Sequence, residues 1–526
     1  MSSILYRSDL KIWGFGITHP VFEEKTLNQF FAKRTLKETY TEERAQFLCA
    51  LFQSGREGHL CMEKQDVPDL PPSILEEGKD LMPLKPVVRF QNYYYLQRNW
   101  VLETHILEQA KRLRRLKLCQ TDDVKQFHAK CESLDLLDKQ KWALKSAFEN
   151  PFSLFCGGPG TGKTYTAVQF VKLLLASRVG EQYKVVLTAP TGKAASHLQT
   201  VLGATVEAMT LHRLLRIVPG ENRLFSDWKI DADLVVADEA SMIDVSLLAK
   251  LLESIGNGTR LLLIGDPDQL PPVEAGTIFR EMADAFGVRL DQSMRSQNSS
   301  LNLMAEKINR GEWIGDDALL PWSFDFSLKD KLYEKIAPTF SWDEPDPIDA
   351  LKRGAEFRVL AALRQGPFGS LALNEQIVQE MRRRIQPGQW WIIPILITQN
   401  TPSQDLYNGT CGCLIGKSRG SIDFFDANAY FPQKVPFKKL PPFESAFCLS
   451  IHKSQGSEFE RVLALFPQGS ENFGKEAVYT AITRAKKEIE IVADKATLKA
   501  MLAKHSLKTS GFTTRFSMEI NAHPPL

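Results

Sequence analysis

The chain has 526 residues and a mass of 59.4 kDa. With about 150 residues per domain that is too long for one core, and three or four units are expected. Its 43% hydrophobic and 24% charged shares suit a globular protein, and no run reaches the ~18–20 apolar residues of a membrane-spanning helix. A net charge of +2 leaves a nucleic-acid partner open, because one groove can be basic while the sum stays near zero.

Residues 1–115 carry no nucleotide motif and read as an amino-terminal domain. The opening MSSILYRSDLKIWGFG lacks the long apolar core of a leader peptide. VVRFQNYYYLQRNWVLE (Val87 to Glu103) is rich in aromatic and β-branched residues, which predicts one or two strands. EQAKRLRRLKL, which follows a few residues on, has the leucine spacing of a helix. Its Arg112, Arg114, Arg115 and Lys117 suit either a nucleic-acid contact or a solvated face. The eight cysteines (Cys49, Cys61, Cys119, Cys131, Cys156, Cys411, Cys413 and Cys448) form no C-x-x-C pair. Reduced, mostly buried thiols in a cytoplasmic protein are therefore expected. His59 and Cys61 have no second ligand pair downstream, so a structural role is expected of them.

From Leu134 onward, apolar runs alternate with helical stretches, as in a parallel sheet whose carboxyl edge binds ligand. FSLFCGG predicts a short buried strand and TYTAVQFVKLLLAS a helix. Between them lies GGPGTGKT, with the Gly-x-x-x-x-Gly-Lys-Thr spacing of a phosphate loop: Gly157, Gly158, Pro159, Gly160, Thr161, Gly162, Lys163 and Thr164. Glycines let backbone N–H groups approach phosphates, and the following helix adds its positive end. Lys163 is expected on the β- and γ-phosphates, and Thr164 on Mg²⁺. Such a loop fits a switch, a transporter motor, a kinase or a helicase alike.

DLVVADEA, further along the chain, is a β-rich run that delivers Asp238 and Glu239 at its carboxyl end. Asp238 suits the Mg²⁺ shell, and Glu239 the base or orienter of the attacking water. RLLLIGDPDQLPPVEAG then places Asp266, Asp268 and Gln269 directly after a strand, facing the γ-phosphate. Gln269 suits a sensor that bonds a phosphate when present and releases it after hydrolysis. Beyond Gly311 the pattern weakens, and the Pro-rich, acidic Ala337 to Ile348 predicts a linker or surface loop. A second α/β region starts near Phe357. Its Gly-, Pro- and aromatic-rich middle, about residues 400–445, suits a small β insertion. The expected division is therefore 1–115, 116–335 and 336–526.

Taken in order, GGPGTGKT, TAPTGKAA, TLHRLL, DEASM and GDPDQLPPVEAG resemble the motifs of superfamily 1 helicases of the 5′-to-3′ branch. VLAALRQGPFGSLALNEQI, LSIHKSQGSEFERV and VYTAITRAKK extend the resemblance to the RecD family, the alpha subunit of exodeoxyribonuclease V, from Gln140 to about Ala493. SGREGHLCM (Ser54 to Met62) is similar to its amino-terminal domain. The resemblance implies an α/β fold of two RecA-like parallel-sheet motor domains, with a small amino-terminal domain and a small β insertion in the second motor domain. It implies an ATP- and Mg²⁺-dependent, 5′-to-3′ DNA helicase acting on DNA ends beside RecB-like and RecC-like subunits, with nuclease activity in a partner. By the same resemblance Gln140 reads adenine, Glu458 contacts the ribose, and Arg295 and Arg484 are arginine fingers, a role suited to a guanidinium beside a transferring phosphoryl. Thr191, Lys193 and His212 would line the DNA path on the first motor domain. His452, Lys453 and Ser454 would line it on the second.

No nuclease signature is recognisable, and the helix-hairpin-helix extension of stand-alone relatives is not evident before Leu134, which favours the subunit form. Two other readings stand beside it: a stand-alone or conjugation-linked helicase of the same superfamily, and a nucleotide-gated scaffold that does not translocate. The scaffold predicts degraded coupling residues, whereas Gln269 and Arg484 are present.

Overall fold

The computed structural model describes residues 24–79, 81–177, 183–202, 206–217, 228–272, 276–292, 299–340, 346–386, 388–399, 401, 404, 406, 408–417, 422–426, 434–506 and 508–522. These residues build four sheets. The first joins β1 (Cys61–Glu63), β2 (Leu75–Glu77), β3 (Val87–Phe90) and β4 (Tyr93–Leu96) in the order β1-β4-β3-β2. Val87 to Glu103 thus holds two strands, but its Gln97–Glu103 end opens the helix Gln97–Arg115. Asn99 to Leu107 are all buried there, so burial shows no period in that stretch, and a run of this kind is not told from a strand by pattern alone. Of the basic residues in this helix and just beyond it, Arg112 donates to the carbonyls of Leu252 and Ile255 at 3.2 and 2.7 Å, and Arg114 lies 4.5 Å over the Phe286 ring. Those two serve the fold, while Arg115 and Lys117 are exposed.

The second sheet is parallel throughout. Its strands are β5 (Phe152–Cys156), β6 (Val185–Ala189), β7 (Glu207–Thr210), β8 (Leu234–Ala237), β9 (Arg260–Gly265) and β10 (Val288–Arg289), in the order β10-β5-β9-β8-β6-β7. β8 and β9 are buried along their whole length, as strands covered by helices on both faces must be. The order sets β5 beside β9 and β9 beside β8. The loops leaving these three strands therefore open side by side at the carboxyl edge, where open parallel sheets bind ligands.

After β11 (Phe357–Ala361) the chain makes an antiparallel sheet. It consists of β12 (Trp390–Ile397), β13 (Cys411–Lys417), β14 (Ile422–Asp426), β15 (Lys434–Pro436) and β16 (Phe443–Ser445), in the order β15-β14-β13-β12-β16. The chain then returns through β17 (Cys448–Ser450), β18 (Phe459–Phe466) and β19 (Ala485–Ala493) to complete a parallel sheet ordered β17-β11-β18-β19. The insertion thus begins at Trp390, earlier than its turn residues suggest. WWIIPILI is a continuous apolar run, and pattern alone does not tell such a run from a parallel-sheet strand. The expected linker is also partly helical. Ala337 to Phe340 end the helix Leu328–Phe340, and Asp346 caps the helix Pro347–Glu356, with Pro347 at the first position where its missing N–H costs nothing.

Two segments cross the division expected at residues 335 and 336. Ala305 and Ile308 of the helix Ser299–Asn309 lie in the core of the second lobe. Phe512 and Phe516 of the helix Phe512–Ala522 lie in the core of the first, with Phe152. All eight cysteines are free thiols. His59 Nδ1 pairs with Thr509, and no group of three or more His, Cys, Asp or Glu suited to a metal occurs among the described residues. No helix among them is long and apolar enough to cross a membrane.

Candidate nucleotide site between the lobes

The loop from Gly157 to Gly162 leaves β5 and feeds the helix Lys163–Ser177. Gly162 has φ +79°, a left-handed turn open to glycine at little cost. Thr161 donates its hydroxyl to the Gly158 carbonyl at 2.8 Å and braces the loop around Pro159 and Gly160. Lys163 Nζ donates to the carbonyls of Gly157 and Gly158 at 2.7 and 2.8 Å. Phosphate oxygens are stronger, charge-assisted acceptors for that ammonium, so the loop fits a nucleotide triphosphate. Gln140, 1% exposed, accepts from the Leu137 N–H at 3.1 Å, while its buried Nε2 has no partner. That orphaned donor suits an adenine ring nitrogen.

Thr164 donates to Asp238 Oδ2 at 3.3 Å, and Asp238 Oδ1 accepts the Glu239 N–H at 2.7 Å. Glu239 sits at φ +53°, a left-handed conformation that costs a non-glycine residue about 1 kcal/mol or more. Burial pushes both carboxyls above the ordinary carboxylate range. Lys163 opposes this at both, and Arg484 opposes it most at Glu239. A hydroxyl and carboxylates with raised affinity for positive charge form an oxygen donor set that fits Mg²⁺. After β9, Asp266 is 1% exposed. Its Oδ2 accepts Gln269 Nε2 at 3.2 Å, and the buried Gln269 Oε1 has no partner.

Arg484, 4% exposed, ends the helix Gly474–Thr483 of the second lobe. It donates from Nη1 to the Ser457 carbonyl at 3.2 Å and from Nη2 to Thr483 at 3.4 Å, while its buried Nε has no partner. Its charge is felt at Glu239 of the first lobe. Glu458 bears on Glu239 from the same lobe and lies 3.8 Å from Lys486. Arg295 lies outside the described residues.

The DNA-path candidates scatter. Thr191 stands at the lobe junction, its Oγ1 3.6 Å from where a Cβ on Gly456 would be. Lys193 is on the helix Gly192–Leu202, its side chain outside the described set. His212 is exposed. On the second lobe Ser454 is fully buried and donates to the Ile451 carbonyl. Lys453 is paired with Glu444 at 2.7 Å. His452 packs edge-on against Phe473. Sequence reading missed Gln455, which donates to the Leu270 carbonyl at 2.7 Å, and Thr480, which accepts the Leu270 N–H at 2.8 Å. It also missed Tyr479. Thr480 lies one helical turn before Arg484, on the same face, and that spacing was the available signal.

A family model for the AAA domain matches residues 135–319, and one for the UvrD-like helicase C-terminal domain matches residues 445–492. The RecBCD enzyme subunit RecD of Mycolicibacterium smegmatis is 30% identical over 518 residues, which cover 88% of this chain and 91% of that one. The subunit of the same name from Mycobacterium tuberculosis is 32% identical over 431 residues, covering 72% and 73%. The ATP-dependent RecD2 DNA helicase of Deinococcus radiodurans is 30% identical over 370 residues, 67% of this chain and 48% of that one. Among solved structures, the Pif1 helicase from Candida albicans aligns with a TM-score of 0.46 and 18% identity, covering 74% of this chain and all of that one.

Two RecA-like lobes, a phosphate loop and the two matched models define an ATP-dependent DNA helicase of superfamily 1. Within that class, the chain belongs to the RecD family.

Proposed function

We propose that this chain is a 5′-to-3′ single-strand DNA translocase, working on DNA ends as one subunit of a three-subunit, RecBCD-like complex in double-strand break repair and recombination. RecB-like and RecC-like chains would be its partners, with the nuclease on a partner. The amino-terminal sheet and its helices would serve for docking. The observation that carries the motor reading is the lobe junction at the phosphate site: the buried Arg484 closes the helix Gly474–Thr483 of the second lobe, and a Cβ on Gly456 of that lobe would stand 4.0 Å from Glu239 of the first. A site completed by both lobes makes hydrolysis depend on their closure.

Thr164 and Asp238 would hold Mg²⁺, which when bound supplies charge neutralisation to the phosphates. Lys163 and the loop N–H groups orient the γ-phosphate. Glu239 takes a proton from, or aligns, the attacking water. Gln269 reports whether the phosphate is still there. Arg484, with Arg295 as a second proposed finger, steadies charge on the transferring group.

The test uses turnover and tailed duplexes. Single-stranded DNA is expected to stimulate ATP hydrolysis, and duplexes with a 5′ tail to be unwound in preference to those with a 3′ tail. Turnover indifferent to DNA would favour the scaffold reading, and preference for a 3′ tail would refute the polarity. Native purification is expected to bring down two larger subunits, and recovery of the chain alone would favour the free helicase.

A further inference from the structure

A hydroxyl of the second lobe reaches the Asp266 carboxyl of the sensor turn. Tyr479, on the helix Gly474–Thr483, is 2% exposed, and its OH donates to Asp266 Oδ2 at 3.1 Å. The same oxygen accepts Gln269 Nε2 at 3.2 Å, while Oδ1 accepts the Asp268 N–H at 3.1 Å. The hydroxyl also lies against the phosphate loop, 3.0 Å from where a Cβ on Gly158 would stand. Only a glycine at 158 leaves that approach free.

Asp268 broadens the junction. It pairs with Arg289 of the first lobe, lies 3.8 Å from Arg280 and accepts from Asn309 of the second lobe at 3.5 Å. Burial and the nearby carboxylates raise the Tyr479 hydroxyl well above its ordinary range, so it keeps the proton it donates to Asp266 Oδ2.

We propose that Tyr479 is a positioning residue that couples the state of Gln269 to the second lobe through the Asp266 oxygen they share; this rests on the motor reading above. When Gln269 turns toward a phosphate, Asp266 Oδ2 is left to Tyr479 alone, and that bond tightens across the junction. When the phosphate leaves, Gln269 returns and the oxygen is shared again. The two states thus differ by one donor on a buried carboxylate, where hydrogen bonds are strongest.

The experiment measures ATP turnover of the full chain, with any co-purifying subunits, in the presence and absence of a single-stranded oligonucleotide. Tyr479→Phe removes the hydroxyl and keeps the ring. The ratio of DNA-stimulated to DNA-free turnover is expected to fall about tenfold while KM for ATP moves less than about twofold, the signature of an interaction used in turnover and not in binding. Gln269→Ala is expected to lower the same ratio, and the double variant to fall no further than the worse single one, because the two residues act through one oxygen. A ratio retained within about twofold in Tyr479→Phe, or losses that multiply in the double variant, overturns the coupling. A lowered melting temperature with the ratio intact overturns it as well, leaving only packing. A parent chain that DNA does not stimulate sinks the motor reading and this inference together. A stimulated parent with an unaffected Tyr479→Phe sinks this inference alone.

Discussion

The ring of His452 meets Phe473 with centroids 5.7 Å apart at 67°. Burial, with Lys508 adding to it, pulls the His452 pKa from 6.5 to about 4. A histidine with a depressed folded pKa lets the unfolded chain bind the proton first, so stability is lost as pH falls from 6.5 toward 4. His452→Asn cannot titrate, and its melting temperature is expected to fall less steeply across that window. Parallel melting curves for the two chains would refute the assignment. A neutral, packed ring also makes a poor partner for a DNA phosphate, which the run SIHKSQG does not disclose. The same holds for Ser454, whose turn aims the hydroxyl at the Ile451 carbonyl. Lys163 was legible from the glycine spacing of its loop, and Asp238, Glu239 and Gln269 were legible because each stands just beyond the end of a buried apolar run. Tyr479 was not, since its partner Asp266 is 213 residues away.

The segment from Thr509 to the helix Phe512–Ala522 returns from the second lobe to the first. Thr509 accepts the Leu60 N–H at 2.9 Å. Arg515 donates to the fully buried Glu103 at 3.0 Å and to Thr104 at 2.6 Å, its guanidinium 3.8 Å over the Trp100 ring. Tyr95 and the Gly511 N–H complete the shell, each at 3.0 Å from a Glu103 oxygen. Arg515→Ala would strand that carboxyl, which costs about 3–5 kcal/mol where a buried charge loses its partner. Burial already raises the Glu103 pKa, and Arg515 is the main opposing influence. Its loss raises that pKa further, so the destabilisation should grow as pH rises and shrink toward acid. Urea midpoints at two pH values check this, and a pH-independent loss would contradict it. Nothing in the sequence announces this pairing across 412 residues. Strands β5, β8 and β9 of the second sheet, by contrast, could be read directly, because parallel-sheet strands are unbroken apolar runs. The same rule hid the start of the insertion at Trp390.

For the whole molecule, the central expectation is that the phosphate loop drives movement without holding up the fold. Lys163 bonds only to carbonyls of its own loop among the contacts described. Lys163→Gln is therefore expected to keep its melting temperature within about 3 °C of the parent, a small change for a chain of this size. It is expected to abolish unwinding. Unwinding at the parental rate in that variant would move the motor site elsewhere. The geometry of movement follows from the returning C-terminal helix. The second lobe is joined to the first where the chain enters it and again where Phe512 and Phe516 are planted among the first lobe's aromatic rings. A body pinned at two separate points keeps one easy freedom, the turn about the line through them. Each broken triphosphate would then yield a swing of limited arc, with its axis set by where that second pin is driven in.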